Sequence, residues 1–324
     1  MKILVTGGAG FIGSNFIYYI LNKYPDYRVV NLDKLTYAGS LDNLKEVELK
    51  FKDRYEFIKG DICDEILVDK IMGSVDAVVN FAAESHVDKS IESPDSFIET
   101  NIMGTYTLLK SALKNNKKRF HHISTDEVFG ALPLDNEKEK FSESTPYNPR
   151  SPYSASKASA DHLANVFFHT YGLPVTISNC SNNYGPFQFP EKIIPLFILN
   201  ALNGKPLPIY GNGKCVRDYI FVDDHCRGVD LVLHNGKMGE KYCFGGNSEK
   251  NGIEIADTIL GILGKSDTLK EFVKDRPGHD VRYAIDFTKA KKELGWSPVV
   301  SFEEGIRKTI DWYKNNEEWY KKLI

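Results

Sequence analysis

The stretch Lys2-Ile-Leu-Val-Thr-Gly-Gly-Ala-Gly-Phe-Ile-Gly13 decides the fold, because it joins a short apolar run, a glycine-rich turn and the start of a helix. A strand is predicted at Lys2–Thr6, and apolar residues at helical spacing predict a helix over Phe11–Lys23. Between them the glycines match Gly-x-Gly-x-x-Gly. They allow a tight turn and let the backbone approach a pyrophosphate at the positive end of the helix. The stretch therefore predicts a dinucleotide-binding unit.

An acidic residue indicates which dinucleotide is bound. A second strand, Arg28–Asp33, ends at Asp33, 20 residues beyond Gly13. A carboxylate at this place binds the ribose hydroxyls of the adenosine and repels a 2′-phosphate. The sequence predicts NAD rather than NADP.

Predicted strands and helices alternate through the first half of the chain. Further strands are expected at Tyr55–Lys59, Ala77–Phe81, Arg119–Ser124 and Val175–Asn179, with helices around Asp64–Met72, Ser93–Asn115 and Tyr153–Tyr171. This alternation is typical of an α/β fold, a Rossmann doubly wound parallel sheet. Beyond it, loops rich in Asn, Gly and Pro and shorter elements predict a smaller α+β domain. We assign residues 1–178 to the cofactor domain, with a return of the chain near 220–247, and 179–219 with 248–324 to the second domain.

The composition excludes several classes of function. A net charge of -3 over 324 residues gives no reason to expect nucleic acid or an anionic membrane as a partner. The five cysteines are odd in number and form no Cys-x-x-Cys, so we expect neither a disulfide nor a metal site. The most apolar run, Ile193 to Leu199, is interrupted by Pro195 and is too short to span a bilayer. No secretory signal is predicted, and the expected location is the cytoplasm.

Tyr153 and Lys157 lie four residues apart, which places them on one face of a helix. A phenol normally has a pKa of about 10. A neighbouring ammonium and the positive charge of an oxidised nicotinamide both favour the phenolate. The pair predicts that Tyr153 accepts a proton from a substrate hydroxyl during oxidation. An exposed helix pair is the alternative, and the glycine motif upstream disfavours it.

Two adjacent carboxylates follow a strand in Ser124-Thr-Asp-Glu127. The carboxyl end of a strand is where open α/β sheets bind ligands. Thr125 is placed to hydrogen-bond a substrate hydroxyl. Burial and like charge can separate the pKa values of Asp126 and Glu127, giving one acid and one base. The alternative is a solvated acidic turn.

On these residues the chain resembles the extended short-chain dehydrogenase/reductase family, and within it the dTDP-glucose 4,6-dehydratases, over almost its whole length. Besides the three motifs above, the segments that carry the resemblance are Ala82-Ala-Glu-Ser-His-Val-Asp88, Ser181-Asn-Asn-Tyr-Gly-Pro186, Arg217-Asp218 and Asp275-Arg-Pro-Gly-His-Asp280. The segment at 82–88 and the Ser-Thr-Asp-Glu segment are much more specific than the glycine motif.

The resemblance implies a hydro-lyase that acts on dTDP-glucose with recycled NAD. In that scheme Tyr153 takes the C4 hydroxyl proton, Glu127 removes the C5 hydrogen, and Asp126 protonates the departing C6 hydroxyl. The product is dTDP-4-keto-6-deoxyglucose, which in this family often feeds dTDP-rhamnose and polysaccharide synthesis. The family commonly forms homodimers through paired helices, here Ser93–Asn115 and Tyr153–Tyr171.

The resemblance also implies the binding residues. The expected cofactor contacts are Gly7, Gly10, Phe11, Ile12, Gly13, Asp33, Lys34, Thr36, Asp61, Ile62, Phe81, Ala82, Ala83, Ser85, Thr100, Tyr153 and Lys157. The expected substrate contacts are Ser85, His86, Thr125, Asn182, Lys192, Leu196, Pro208, Tyr210, Arg217, Asn251, Arg276, His279 and Tyr283. The chain departs from the family in carrying Phe129 where Tyr is common. It also carries Gly252 where many members have Asn, with Asn251 one place earlier.

Three other functions compete with this interpretation. A nucleotide-sugar C4 epimerase also oxidises C4 through Tyr and Lys, but needs no acid–base pair to expel a hydroxyl. A dehydratase of a UDP-, CDP- or GDP-sugar would differ only in the base pocket. An NAD-binding sensor without catalysis would be expected to lose Tyr153 or a carboxylate, and this chain keeps them.

Overall fold

A central parallel sheet organises the molecule, for which a computed structural model describes residues 1–116, 118–275 and 280–323. The strands are β1 (Lys2–Thr6), β2 (Arg28–Asp33), β3 (Tyr55–Lys59), β4 (Ala77–Asn80), β5 (Arg119–Thr125), β6 (Val175–Cys180), β7 (Asn182–Tyr184), β8 (Leu207–Tyr210), β9 (Val216–Phe221), β10 (Lys241–Phe244), β11 (Glu249–Asn251) and β12 (Lys270–Val273). Seven of them form one sheet in the order β10-β6-β5-β4-β1-β2-β3, with every neighbouring pair parallel. The predicted doubly wound α/β fold is confirmed.

Helices cover both faces of this sheet. They are α1 (Phe11–Lys23), α2 (Lys45–Lys50), α3 (Glu65–Met72), α4 (Val87–Glu92), α5 (Asp95–Phe97), α6 (Thr105–Lys114), α7 (Pro152–Tyr171), α8 (Ile193–Leu202), α9 (Val222–Asn235), α10 (Gly252–Leu263), α11 (Thr288–Leu294), α12 (Phe302–Asn315) and α13 (Glu317–Tyr320). Side chains alternate between the two faces of a strand. Ile3 and Val5 therefore pack with α1 and α9, whereas Leu4 packs with α3, α6 and α7.

Smaller sheets lie beyond β6. One has the order β11-β9-β7 and the other pairs β12 with β8. A separate apolar core joins α8, α10 and α12 to these strands. The chain returns to the large sheet through β10, which pairs with β6. The division at residue 178 stays a prediction.

The helix predicted over Ser93–Asn115 is not continuous. It consists of α5, a π-helical segment at Ile98–Gly104, and α6. Within this segment the Asn101 side chain makes two hydrogen bonds to the backbone of Glu84. Its Oδ1 accepts the Glu84 N–H at 2.9 Å, and its Nδ2 donates to the Glu84 oxygen at 3.0 Å. Gly104 sits so close to Ile62 that a Cβ would lie 2.4 Å from its side chain. The wider turns fit this region against the ends of the strands.

The charged loop at residues 135–140 has mostly exposed side chains but an anchored backbone. Arg282, almost wholly buried, donates hydrogen bonds to the carbonyl oxygens of Asn136, Glu137 and Glu139 at 3.0–3.1 Å. It also pairs with Glu249 at 2.7 Å. Burying a guanidinium requires such partners, and here backbone oxygens supply most of them.

In the described ranges of the chain, none of the helices combines the length and apolar character that a membrane span requires. The same residues contain no group of three or more His, Cys, Asp and Glu side chains placed to hold a metal ion.

Candidate active site

The glycine turn after β1 leaves a helix end open toward a ligand. Gly7 has a φ of +67°, and a Cβ there would lie 2.6 Å from the backbone nitrogen of Ala82. A Cβ at Gly13 would lie 2.4 Å from the Gly7 oxygen. Helix α1 starts after Gly10 with no side-chain cap, so its first N–H groups stay available. The turn fits a pyrophosphate at the end of α1.

Two backbone N–H groups hold the Asp33 carboxylate beside the glycine turn. Its Oδ2 accepts a hydrogen bond from the Ala9 N–H at 2.9 Å, and its Oδ1 accepts one from the Leu35 N–H at 2.8 Å. Burial raises the pKa of Asp33, while these two backbone bonds oppose the rise. Next to it, Lys34 forms an ion pair of 2.6 Å with Asp61. Each Asp33 oxygen keeps a lone pair for a ribose hydroxyl.

A cavity of about 340 Å³ follows the carboxyl ends of the strands. All of the cofactor contacts expected from the sequence line it: Gly7, Gly10, Phe11, Ile12, Gly13, Asp33, Lys34, Thr36, Asp61, Ile62, Phe81, Ala82, Ala83, Ser85, Thr100, Tyr153 and Lys157. This lining fits NAD. The open helix end suits the pyrophosphate, the Asp33 carboxylate is placed for a ribose, and the cavity is long enough for a dinucleotide.

Helix α7 places Tyr153 and Lys157 in the same cavity. It begins with Ser151 as its N-cap and Pro152 in its first turn. Lys157 is buried and donates a hydrogen bond of 2.7 Å from Nζ to the Ile123 oxygen. Burial lowers the pKa of Lys157, and the charge of Asp161 opposes this.

The pKa of Tyr153 differs in direction from the sequence expectation. Burial raises it well above its ordinary value, and the nearby Glu127 raises it further. A neighbouring ammonium was expected to lower it, but here desolvation outweighs the favourable charge.

The two carboxylates follow β5 in a 3-10 turn, Asp126–Phe129. Thr125 caps this turn: its Oγ1 accepts the Glu127 N–H at 3.2 Å and donates to Asp126 Oδ1 at 3.3 Å. Burial raises the pKa of Asp126 well above its ordinary value, and the charges of Glu127 and Asp218 add to the rise. Burial raises the pKa of Glu127 to about 7, against the opposing charge of Arg217. The turn is therefore not a solvated one.

A second cavity, of about 330 Å³, opens beside the first. The expected substrate contacts that line it are Ser85, His86, Asn182, Lys192, Leu196, Pro208, Tyr210, Arg217 and Tyr283. Thr125 lines the first cavity, and Glu127 lines both. The Arg217 guanidinium lies 4.2 Å from the centre of the Tyr283 ring. The two cavities meet at Ser85, Glu127, Asn182 and Lys192, which line both.

The side chain of Asn251, an expected substrate contact, is engaged elsewhere. Asn251 uses its side chain to cap α10, accepting the N–H groups of Ile253 and Glu254 at 3.0 Å, and its neighbour Gly252 lines the second cavity. Arg276 and His279 lie outside the described residues. All three stay predictions.

Sequence reasoning missed several residues of the site. Asn183 and Gln188 line both cavities, and Tyr37 and Cys180 line the first. Asn183 and Gln188 belong to the same loop as Asn182, so the loop composition could have indicated them. Nothing in the local sequence around Cys180 distinguishes it from an ordinary strand end.

Three comparisons relate this geometry to known proteins. A family model described as GDP-mannose 4,6 dehydratase matches residues 4–309. The chain is 51% identical to a dTDP-glucose 4,6-dehydratase of Escherichia coli, over all of this chain and 96% of the relative. It resembles the NAD complex of the Bacillus anthracis dTDP-glucose 4,6-dehydratase at 48% identity and a TM-score of 0.93, with both chains fully covered. The Streptomyces venezuelae enzyme with NAD and dTDP bound is 47% identical over both full chains, with a TM-score of 0.95. The chain therefore belongs to the family that the GDP-mannose 4,6 dehydratase model describes, and within it to the dTDP-glucose 4,6-dehydratases.

Proposed function

We propose that this chain converts dTDP-glucose to dTDP-4-keto-6-deoxyglucose and water, restoring NAD in every turnover. The observation that carries the proposal is the pair Asp126 and Glu127, held in a protein interior beside Tyr153 where the two cavities meet. Oxidation of an alcohol needs only Tyr153, Lys157 and the cofactor. The additional acid and base suit an elimination in the same pocket.

NAD, when bound, supplies a hydride acceptor for C4 and later a hydride donor for C6. Tyr153 accepts the proton of the C4 hydroxyl. Lys157, fixed by its bond to the Ile123 oxygen, presents a positive charge that favours the phenolate and holds the nicotinamide ribose. Burial of this pair keeps water from competing for the proton.

Glu127 removes the C5 hydrogen, which the C4 ketone has made acidic. A pKa of about 7 gives this carboxylate enough basicity near neutral pH while leaving much of it ionised. The pKa of Asp126 is raised well above its ordinary value, so Asp126 carries the proton that the departing C6 hydroxyl needs. The environment separates the two carboxylates into a base and an acid.

The second cavity is the proposed nucleotide site. Arg217 lies at its wall with a planar donor set that suits a diphosphate. Lys192 lines both cavities and adds charge between the diphosphate and the sugar. Tyr210 and Pro208 supply flat and apolar surface for the thymine.

The proposal is tested by incubating the purified chain with dTDP-glucose in deuterated water. We expect a 4-keto-6-deoxy sugar, seen by its absorbance in base, with solvent deuterium at C5. A C4 epimer as the product would refute the proposal in favour of an epimerase. Equal turnover of UDP-, CDP- and GDP-glucose would refute the base specificity alone.

The roles of the two carboxylates are tested by matched amide variants. Glu127→Gln should abolish deuterium entry at C5, because the base is lost. Asp126→Asn should still exchange C5 if elimination is stepwise, because only departure of the C6 hydroxyl is impaired. Exchange in Glu127→Gln and none in Asp126→Asn would reverse the assignment. Loss of exchange in both variants would leave a concerted elimination open and the two individual roles unassigned.

We also propose that the protein is a cytoplasmic homodimer that pairs through α6 and α7. Apolar side chains on and before these helices are exposed, including Ile98 (52%), Met103 (50%) and Val166 (48%). An exposed apolar patch of this kind marks an interaction surface. Sedimentation should give a dimer for the wild type and a monomer for Met103→Glu combined with Val166→Glu. A wild-type monomer would refute the dimer.

A further inference from the structure

A buried acidic residue lies on the same helix as the Tyr–Lys pair. Asp161 follows Lys157 by one helical turn, so Tyr153, Lys157 and Asp161 share one face of α7. Its relative exposure is 1%, whereas the catalytic carboxylates open onto a cavity. A buried carboxylate requires specific partners to stay ionised.

Those partners come from three other segments. Asp161 Oδ2 accepts hydrogen bonds from Ser124 Oγ and Tyr147 Oη, both at 2.8 Å. A weaker contact of 3.4 Å reaches it from Asn179 Nδ2, which also donates to the Thr125 oxygen at 3.0 Å. Asp161 therefore connects the carboxyl ends of β5 and β6 to α7 through these hydrogen bonds.

The fourth partner is a neutral histidine. His122 Nε2 lies 3.3 Å from Asp161 Oδ1. On the other side of the ring Nδ1 lies 3.2 Å from Asn80 Nδ2, and Asn80 Oδ1 accepts the Thr6 hydroxyl at 2.6 Å. This network assigns the ring proton to Nε2, because Nδ1 faces an amide donor.

The charges of this cluster have a definite arrangement. Burial lowers the pKa of His122, and the charge of Lys157 lowers it further, so the ring is neutral. Burial alone would raise the pKa of Asp161, but the contact with His122, the charge of Lys157 and the bond from Ser124 hold it below its ordinary value. Lys157, one helical turn earlier on α7, is thus the cation whose charge acts on Asp161.

We propose that Asp161 is a positioning residue, a buried counter-charge one helical turn from Lys157 that keeps Lys157 an ammonium. The proposal rests on the proposed function only for its kinetic readout. The titratable groups that act on Lys157 or line the same cavity are Tyr153 and Asp161 on α7, His122 on β5, Cys180 on β6, and Asp126 and Glu127 in the 3-10 turn. With His122 and Asp126 uncharged, Asp161 is the ionised group that shares the helix face of Lys157.

The chemical consequence is a defined pH range for oxidation. Lys157 acts as a cation, so oxidation is lost as the pH rises through the pKa of its ammonium. Removing the Asp161 charge leaves burial unopposed, and burial favours the neutral amine. The alkaline limit of C4 oxidation then moves to lower pH.

The decisive experiment titrates Lys157 directly, by NMR of protein labelled with ¹³C at the lysine ε-carbons. The Lys157 resonance is assigned by its loss in Lys157→Arg. In the wild type Lys157 should be an ammonium at pH 8. In Asp161→Asn its pKa should fall by about one unit or more, a tenfold change or larger. The matched control is Tyr147→Phe, which removes one hydrogen bond to the same carboxylate and no charge, and should leave Lys157 nearly unchanged.

Kinetics supply the second readout, as the pH profile of single-turnover C4 oxidation. We expect the alkaline limb of Asp161→Asn to move down by the same amount as the pKa of Lys157, with KM for the substrate less affected than kcat. An unchanged Lys157 pKa in Asp161→Asn would overturn the proposal. A neutral Lys157 at pH 8 in the wild type would overturn it even if the variant fails to fold. Because the NMR titration needs no substrate, failure of the dehydratase assay would leave this test intact.

Discussion

The base assigned to Glu127 has a measurable pH signature. The perturbation is the solution pH, lowered from 8 to 6. With a pKa of about 7, the carboxylate is about nine-tenths ionised at pH 8 and about one-tenth ionised at pH 6. The rate of C5 proton removal should therefore fall about tenfold across this range. A glutamate with an ordinary pKa of about 4.3 would be ionised at both values, and the rate would scarcely change.

The assay is single-turnover deuterium entry at C5, followed by rapid quench and mass spectrometry between pH 5.5 and 8.5. This readout follows the step that Glu127 performs, which comes after C4 oxidation and before product release. Glu127→Gln provides the blank, because an amide cannot accept the proton. Asp218→Asn provides the control, because burial raises the pKa of Asp218 to about 6 and this group also titrates in the range.

Two results would refute the reasoning. A rate that stays level from pH 8 to pH 6 would mean that Glu127 has an ordinary pKa or is not the base. A limb that disappears in Asp218→Asn would assign the titration to Asp218. The direction of the pH dependence follows from the chemistry: the base works in its ionised form, so activity is lost as the pH falls through the pKa of Glu127.

Three further outcomes are expected. Tyr153→Phe keeps the ring but removes the proton acceptor, so NAD should stay bound while C4 oxidation slows by about 10² to 10⁴; activity within tenfold of the wild type would exclude Tyr153 as the base. Arg282→Met removes the buried guanidinium that holds the backbone of the loop at residues 135–140. It should lower the free energy of unfolding by about 3–5 kcal/mol in a denaturant titration. A loss below about 1 kcal/mol would contradict this role of Arg282. Gly246→Ala should lower the free energy of unfolding by roughly 3 kcal/mol, because its Cβ would lie 1.7 Å from the Tyr219 oxygen. Gly261→Ala, in the exposed part of a helix with open space around it, should raise the free energy of unfolding by about 0.5–1 kcal/mol. Equal effects of the two substitutions on the melting temperature would contradict this difference in packing.

Local sequence signals predicted much of the cofactor site. The glycine turn, the strand that ends in Asp33 and the Tyr153–Lys157 spacing each lie within a few residues. Their geometry follows from the chirality of the backbone and the period of the helix. Most predicted strands agree with the structure to within one residue at each end. The break in the helix at Ile98–Gly104 was not predicted, because its cause is contact with Glu84 and Ile62 on other elements.

The nucleotide contacts were harder to derive. A lone Arg217 or Tyr210 has no periodic or local pattern, and it was the family resemblance that indicated them. In the fold they line one cavity because β8, β9 and the loop after β7 converge there. Asn251 shows the converse, since a side chain named from the resemblance is also a helix cap.

By itself the sequence determined the doubly wound sheet and the choice of NAD, and it predicted the reacting side chains. These depend on spacing along the chain and on residue chemistry, which folding does not change. Tertiary structure alone decided the protonation of those side chains. The pKa of Tyr153 rises, Asp126 and Glu127 separate, and Asp161 meets His122 across 39 residues of sequence. The physical reason is that desolvation and Coulomb interaction depend on every atom surrounding a charge, and distant segments supply most of those atoms.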